Sequence, residues 1–476
     1  MTKNKGPGLS IFTLAMLITV AIDSVRNLPA TALFGTALIF FFVFSSIVFL
    51  IPAALVSAEL ASGWTDRGGI FHWVRLAFGE KQAFLAIWLQ WISNLVWFPT
   101  ILSFIAGTAA YLIDPTLGQN KYFLVSVILG TFWFLTILNL RGIHTSARFA
   151  SFCAVTGLII PIAFIIALAG IWIFTGKPIQ IHFTASNMLP TLNNSENWIS
   201  LTAIMTAFLG MELATVHIKD VRDPQKTFPK ALYLSVIIIL TTMILGSLAI
   251  AIVLPQKDIN LVNGVMQAFT NFFAVYHISC VIPIIAVMLL LGSLGGVVSW
   301  IISPARGLLQ AAQYGFMPEF LRRENKHGVA SNLLILQALI VTACCMAFIF
   351  MPSINGSYWL LTALNTQVYM LMYIMMFMTG IYLRYKYPNQ ARSFKVPGKQ
   401  WGMWLVGILG LIGCAITLVV GFIPPDGINV GTLFHYEMIF CGSIVAMVVP
   451  VIFFWMYKSS VAPKLFPTDD FGVETI

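Results

Sequence analysis

Ala21-Ile22-Asp23-Ser24-Val25-Arg26-Asn27-Leu28-Pro29-Ala30 interrupts an apolar run that otherwise extends from about residue 10 to residue 34. The run is long enough to cross a bilayer, because a helix rises about 1.5 Å per residue and the hydrocarbon core is about 30 Å thick. Two charges and a proline in its middle do not suit an ordinary span. Pro29 lacks a backbone donor, and the residue before a proline is biased away from helix, so the helix is expected to break here. Backbone groups freed by a break cannot face lipid and must face protein or a water-filled cavity. Asp23 and Arg26, three apart, admit two readings. They can pair with each other on one helix turn, or they can meet the carboxylate and amine of a solute.

Working outward, the same apolar pattern recurs along the chain. Spans are expected near residues 10–34, 37–61, 83–112, 122–140, 146–175, 197–217, 231–254, 280–304, 331–351, 357–383, 403–423 and 435–457. The 476 residues are 59% hydrophobic and 9% charged, with a mean hydropathy of +0.90, against about 25% charged for soluble domains. The net charge of +9 is explained by topology. Of 26 Lys and Arg residues, 22 fall on the side of the N-terminus, three (Lys121, Lys177, Lys257) fall opposite, and Arg26 lies within a span. That split follows the positive-inside rule and places both termini in the cytoplasm. The implied division is a cytoplasmic N-terminus (1–9), a ten-helix core (10–383), a linker with helices 11 and 12 (384–457) and a cytoplasmic tail (458–476). The first run exceeds a signal h-region and leads straight into another span, so it is expected to be retained.

A second interruption falls in the sixth span at Gly210-Met211-Glu212. Breaks in spans one and six are spaced as two five-helix repeats in opposite orientation would place them, and such breaks mark a transporter site near the bilayer midplane. Asp23, Arg26 and Glu212 would together cost on the order of 8–10 kcal/mol if unpaired and dry. Glu212 and Asp23 are therefore candidates for coupling or pH sensing. Glu59, at the end of the second span, is expected at the membrane interface. Half-helix N-termini offer free N–H groups to a carboxylate, and freed carbonyls suit an ammonium. The pattern fits an amino acid zwitterion better than a sugar or an inorganic ion. Other polar or aromatic candidates are Gln90, Asn94, Trp97, Trp300, Asn365, Gln367, Tyr369 and Tyr373, each with packing or an interfacial belt as its simpler explanation. His144, His217 and His435 fall near span ends.

Several classes are disfavoured. Cys153, Cys280, Cys344, Cys345, Cys414 and Cys441 show no metal-ligand spacing, and most fall in apolar segments. No nucleophile triad or phosphate loop is present, so neither an enzyme nor a bound cofactor or metal is expected. The expected partners are a small amino acid substrate and the bilayer, with no nucleic acid. Oligomeric state leaves no signature. A transporter-fold sensor would need a signalling domain longer than these tails.

Five stretches in order resemble the bacterial glutamate:4-aminobutyrate (GABA) antiporters of the amino acid–polyamine–organocation (APC) superfamily. They are I-P-A-A-L-V-S-A-E-L-A at 51–61, G-M-E-L-A-T-V-H-I-K-D-V-R-D-P-Q-K-T-F-P-K-A at 210–231, D-I-N-L-V-N-G-V-M-Q-A-F-T at 258–270, L-L-L-G-S-L-G-G-V-V-S-W-I-I-S-P-A-R-G at 289–307 and Y-P-N-Q-A-R-S-F-K-V-P-G at 387–398. The resemblance implies an all-α membrane protein of twelve transmembrane helices, a LeuT-like 5+5 inverted repeat with helices 1 and 6 broken, and amino acid exchange across the cytoplasmic (inner) membrane. Proton- or cation-coupled uptake is the alternative mode. By position the substrate region would comprise Asp23, Ser24, Arg26, Gly210, Met211, Glu212, Gly296, Trp300 and Tyr369. Two departures bear on the cargo: the family has uncharged residues at Asp23 and Arg26, and an acidic residue where this chain has Gly296.

Overall fold

The computed structural model describes residues 10–64, 69–142, 152–153, 155–189, 195–214 and 223–460. His144, His217, several of the basic loop residues (Lys3, Lys5, Arg67, Arg148, Lys219, Arg222, Lys464), the segment 1–9 and the tail beyond 460 lie outside them. The described residues form helices, with one isolated β-bridge between Glu324 and Ala330. Among the described residues ten helices are long and apolar enough to cross a membrane, and one bent pair makes up to eleven. The bent pair is α1 (Ile11–Ile22) and α2 (Leu28–Ala32), which meet at 46°. There follow α3 (Gly35–Gly63), α4 (Gly69–Phe78), α5 (Glu80–Ala110), α6 (Lys121–Leu140) and α7 (Val155–Phe174). The sixth expected span is a shorter apolar stretch, Trp198–Leu213, made of α8 (Ser195–Ala207) and α9 (Met211–Ala214). Next come α10 (Pro224–Val253), α11 (Gly264–Val275), α12 (Ile282–Ala311), α13 (Ser331–Phe350), α14 (Ile354–Lys386), α15 (Lys399–Val420) and α16 (Leu433–Lys458).

Burial runs opposite to that of a water-soluble bundle. α5 and α14 are the least apolar of the ten long helices and the most enclosed, while α15 and α16 are strongly apolar and peripheral. Polar side chains on a spanning helix are costly against lipid, so the helices that carry them turn inward. α5 packs along α14 and α12, α1 along α10, and α15 along α14. Gln90, Ser93, Asn94, Asn365, Thr366 and Gln367 are all buried between these helices.

The first break differs in detail from the sequence expectation. Asp23 and Ser24 take extended backbone (ψ 134° and 123°), then Val25–Asn27 form a 3-10 turn that leads into α2. Pro29 sits in the first turn of α2. There its missing N–H costs nothing, since first-turn donors have no intrahelical partner. Pro29 thus starts the second half-helix and does not end the first.

Glu59, near the end of α3, is 2% exposed and enclosed by protein. One carboxylate oxygen accepts from Arg392 at 2.8 Å, and the other accepts from Arg384 and from the Val396 N–H at 2.7 Å. Arg384 also donates to the carbonyls of Val396 and Lys399, and Arg392 to those of Leu383 and Tyr387. The Arg392 guanidinium lies over Trp64, 4.9 Å from the ring centre. One carboxylate therefore ties the end of α3 to the end of α14 and to the 387–398 connection. The sequence hid this because both arginines are remote from Glu59 in the chain.

Removing one partner of a buried ion pair typically costs about 3–5 kcal/mol, because the other charge is stranded. Glu59→Gln is expected to lower the melting temperature of the purified protein sharply. Lys226→Ala, which removes the exposed Lys226–Asp223 pair, should change stability by about 0–1 kcal/mol. Thermal unfolding of the two variants side by side in one detergent tests the contrast.

Candidate functional site

Both broken spans open onto one cavity of about 390 Å³. Ligand sites for small molecules fall at about 300–1,000 Å³, so this one suits a small solute. From the first span it is lined by Val20 and by Ile22 through Asn27; from the sixth by Thr206, Ala207, Leu209 and Gly210. α12 contributes Gly292 to Val297 in part and Trp300, α5 contributes Asn94, Trp97 and Ile101, and α14 contributes Asn365 and Tyr369. Asp23 and Arg26 are the formal charges among the described residues of this lining.

The local sequence explains how each break is held. α8 ends at Ala207 and α9 begins at Met211, with Gly210 between them at φ +96°. That region is strained for a residue with a Cβ, so glycine is required here by its backbone. The Gly210 N–H, left over at the half-helix terminus, donates to the Tyr373 hydroxyl at 3.1 Å. Tyr373 in turn donates to one oxygen of Glu212. The other oxygen accepts from the Tyr369 hydroxyl at 2.6 Å and from Gln90 Nε2 at 2.8 Å. Hydrogen bonds to a charged group contribute about 1.5–3 kcal/mol each. Three of them exceed the cost of about 2.5–3.5 kcal/mol for one unpaired acid at a helix centre.

Asp23 and Arg26 do not pair. A regular helix would put them on neighbouring faces, but the extended backbone at Asp23 and Ser24 removes that register. Asp23 Oδ2 accepts from Thr242 on α10 at 2.7 Å, and its Oδ1 has no partner among the described residues. Arg26 turns to α5: it donates to Thr100, and its guanidinium carbon lies 5.3 Å from the centre of the Trp97 ring. Its Nε has no partner among the described residues. A desolvated cation–π contact is worth about 2 kcal/mol, and with the Thr100 bond it is comparable to the insertion cost of one charge. Arg26 can stay charged without an acid beside it.

Of the residues expected at a substrate region, Asp23, Ser24, Arg26, Gly210, Gly296, Trp300 and Tyr369 line the cavity. Met211 and Glu212 do not. Met211 is fully buried, and Glu212 sits behind Tyr369 in its network. Among the other polar candidates, Asn94, Trp97 and Asn365 line the cavity, whereas Gln367 bonds to the Thr417 carbonyl of α15. His435 is exposed in the first turn of α16. Sequence reasoning missed Asn27, Thr206 and Ser293 on the wall, and Thr100 and Thr242 as partners of the two charges. Hydroxyls in spans satisfy themselves on their own helix, as Thr100 and Thr242 also do. They therefore carry no signal in the sequence. All six cysteines are unpaired.

The family model described as amino acid permease matches residues 9–447. An uncharacterised transporter of Legionella pneumophila is 41% identical over 94% of this chain and 96% of its own length. A glutamate/gamma-aminobutyrate antiporter of Lactococcus lactis is 30% identical over 94% and 90%. A probable agmatine/putrescine antiporter of the same species is 22% identical over 87% and 88%. The crystal structure of a manganese transporter from Eremococcus coleocola superposes with a TM-score of 0.58, covering 94% of both chains at 14% identity. It shares the fold.

Two glycines of the lining should respond differently to alanine. Gly210→Ala forces a Cβ into the φ +96° region, a strain of about 1–3 kcal/mol, and should lower both stability and ligand affinity. A Cβ on Gly296 meets nothing within 4 Å. Gly296→Ala should melt like the wild type and affect only ligands large enough to reach it. Melting curves and ligand binding measured on both variants check this.

Proposed function

The chain belongs to the amino acid permease family, and we propose that it is a secondary active antiporter that exchanges amino acids across the cytoplasmic membrane by alternating access. It is a transporter and not an enzyme, as the family and its relatives indicate. The observation that carries the amino acid reading is the cavity shared by both broken spans, with one carboxyl group and one guanidinium on its wall. A zwitterion matches that wall. Its carboxylate is placed by Arg26 and the N–H groups at the start of the second half-helix, and its amine by Asp23 and the carbonyls that end α1. Ser24, Gly210, Gly296, Trp300 and Tyr369 complete the substrate surface. Glutamate, or another amino acid, against 4-aminobutyrate or a related amine product is the exchange pair suggested by the 30% identical Lactococcus lactis relative.

The topology we propose has twelve spans, a LeuT-like 5+5 inverted repeat in the first ten, and both termini in the cytoplasm. The 22-to-3 distribution of basic residues supports the orientation. The positions of the two breaks support the repeat. Within it Glu212 acts through Tyr369, which it bonds and which lines the cavity. Its part is to hold the sixth break in shape. Asp23, with one carboxylate oxygen unpartnered, is the better candidate for coupling. This favours proton- or cation-linked uptake as the second reading.

Counterflow decides between them. Proteoliposomes preloaded with unlabelled amino acid should take up labelled amino acid several-fold faster than empty ones. Uptake that ignores internal substrate and follows an imposed proton or sodium gradient would establish symport instead. In the same assay Glu212→Gln should slow exchange across all substrates without reordering them, whereas Arg26→Ala should reorder them.

A further inference from the structure

The Arg26 guanidinium occupies an aromatic surface that is itself a recognition element for cations. Trp97 and Trp300 both line the cavity with ring centres 5.6 Å apart, and Arg26 lies over Trp97. Cation–π contact with tryptophan is a general means of binding a guanidinium or alkylammonium ligand. Here the ligand position is filled from within the chain. Arg26 is 4% exposed, and its side chain is hydrogen-bonded to Thr100 and to Tyr358. Among the described residues no acid pairs with it, and its Nε has no partner. Arg26 and Asp23 carry the guanidinium and the carboxyl group of the described lining. Without Arg26 the lining would keep Asp23, whose Oδ1 has no partner among the described residues and can accept from a cationic donor.

We propose that Arg26 is an internal occupant of a latent cation site formed by Trp97, Trp300 and Asp23, and that it makes the cavity reject guanidinium and polyamine ligands. This rests on the reading of the cavity as the substrate site and deepens it: the arginine selects by exclusion as well as by attraction. A substrate must bring an anionic group to Arg26, and a ligand with only cationic groups finds the aromatic face taken and a like charge in front of it. One residue thus separates amino acid cargo from amine cargo in a fold that serves both kinds of named relative.

The test is direct binding of n-butylguanidinium and putrescine to purified wild-type protein, Arg26→Ala and Arg26→Gln, read by tryptophan fluorescence and isothermal calorimetry. The wild type should show no binding in the low millimolar range. Both variants should bind n-butylguanidinium at least about tenfold tighter than the wild type, a step of 1.4 kcal/mol, and Trp97→Leu added to either should abolish the gain. Wild-type protein that binds n-butylguanidinium as tightly as the variants overturns the proposal. So do variants that melt like the wild type yet gain no binding, and a gain that survives Trp97→Leu. If Arg26→Ala fails to fold, Arg26→Gln, which keeps a donor for Thr100, and the wild-type arm still decide. Failure of amino acid counterflow by the wild type would strike the transport reading alone, because the binding assay needs no transport.

Discussion

The hydrogen bonding of the Glu212 carboxylate is the constraint on which the rest of this structure depends. An acid in the middle of an apolar span is tolerated only if its lone pairs are used, and here Gln90, Tyr369 and Tyr373 use them. Those three residues come from α5 and α14, the two most enclosed helices of the bundle. Satisfying one carboxylate therefore fixes the position of the sixth-span break against the centre of the molecule. Tyr373 extends the arrangement by accepting the Gly210 N–H, so side chain and backbone are held by the same hydroxyl. A helix can be interrupted at membrane depth only where its freed groups find such partners.

Glu59, Glu212 and Asp23 meet three different environments. Glu59 is paired twice, with Arg384 and Arg392, and ties the ends of α3 and α14 together. Glu212 is bonded by neutral donors and shapes a break. Asp23 has one hydroxyl partner and one oxygen left over, and it is the one that faces the cavity. The gradation is physically coherent. Full satisfaction makes a carboxylate structural, and incomplete satisfaction leaves interaction free energy for a ligand. Arg26 fits the same scheme on the cationic side, held by a ring face and the Thr100 and Tyr358 hydroxyls, with its Nε without a partner among the described residues.

The small-residue seam beside the cavity adds a further element. Gly157 of α7 and Gly292 of α12 approach so closely that a Cβ on either would fall within 2.5 Å of the other's backbone. Backbones in this contact pack through flat surfaces without interdigitating side chains. The cavity is thus bounded by a hydrogen-bonded wall at α14 and a smooth wall between α7 and α12.

The membrane class, the positions of the apolar segments and the existence of both breaks were legible in the sequence, because they depend on local composition. Apolar runs of span length, an out-of-place D-S-V-R and a Gly-Met-Glu stand out against lipid-compatible neighbours wherever the chain goes. The tertiary structure decided what each charge does. Asp23 and Arg26 are three apart, yet an extended pair of residues turns them to different helices. Glu59 finds partners more than 300 residues away. Glu212 meets two tyrosines of α14 and a glutamine of α5. The physical reason is the same in each case. The cost of burying a charge is set by residue type and depth, both of which the sequence contains, whereas its compensation is set by which remote donors the packing delivers within about 3 Å.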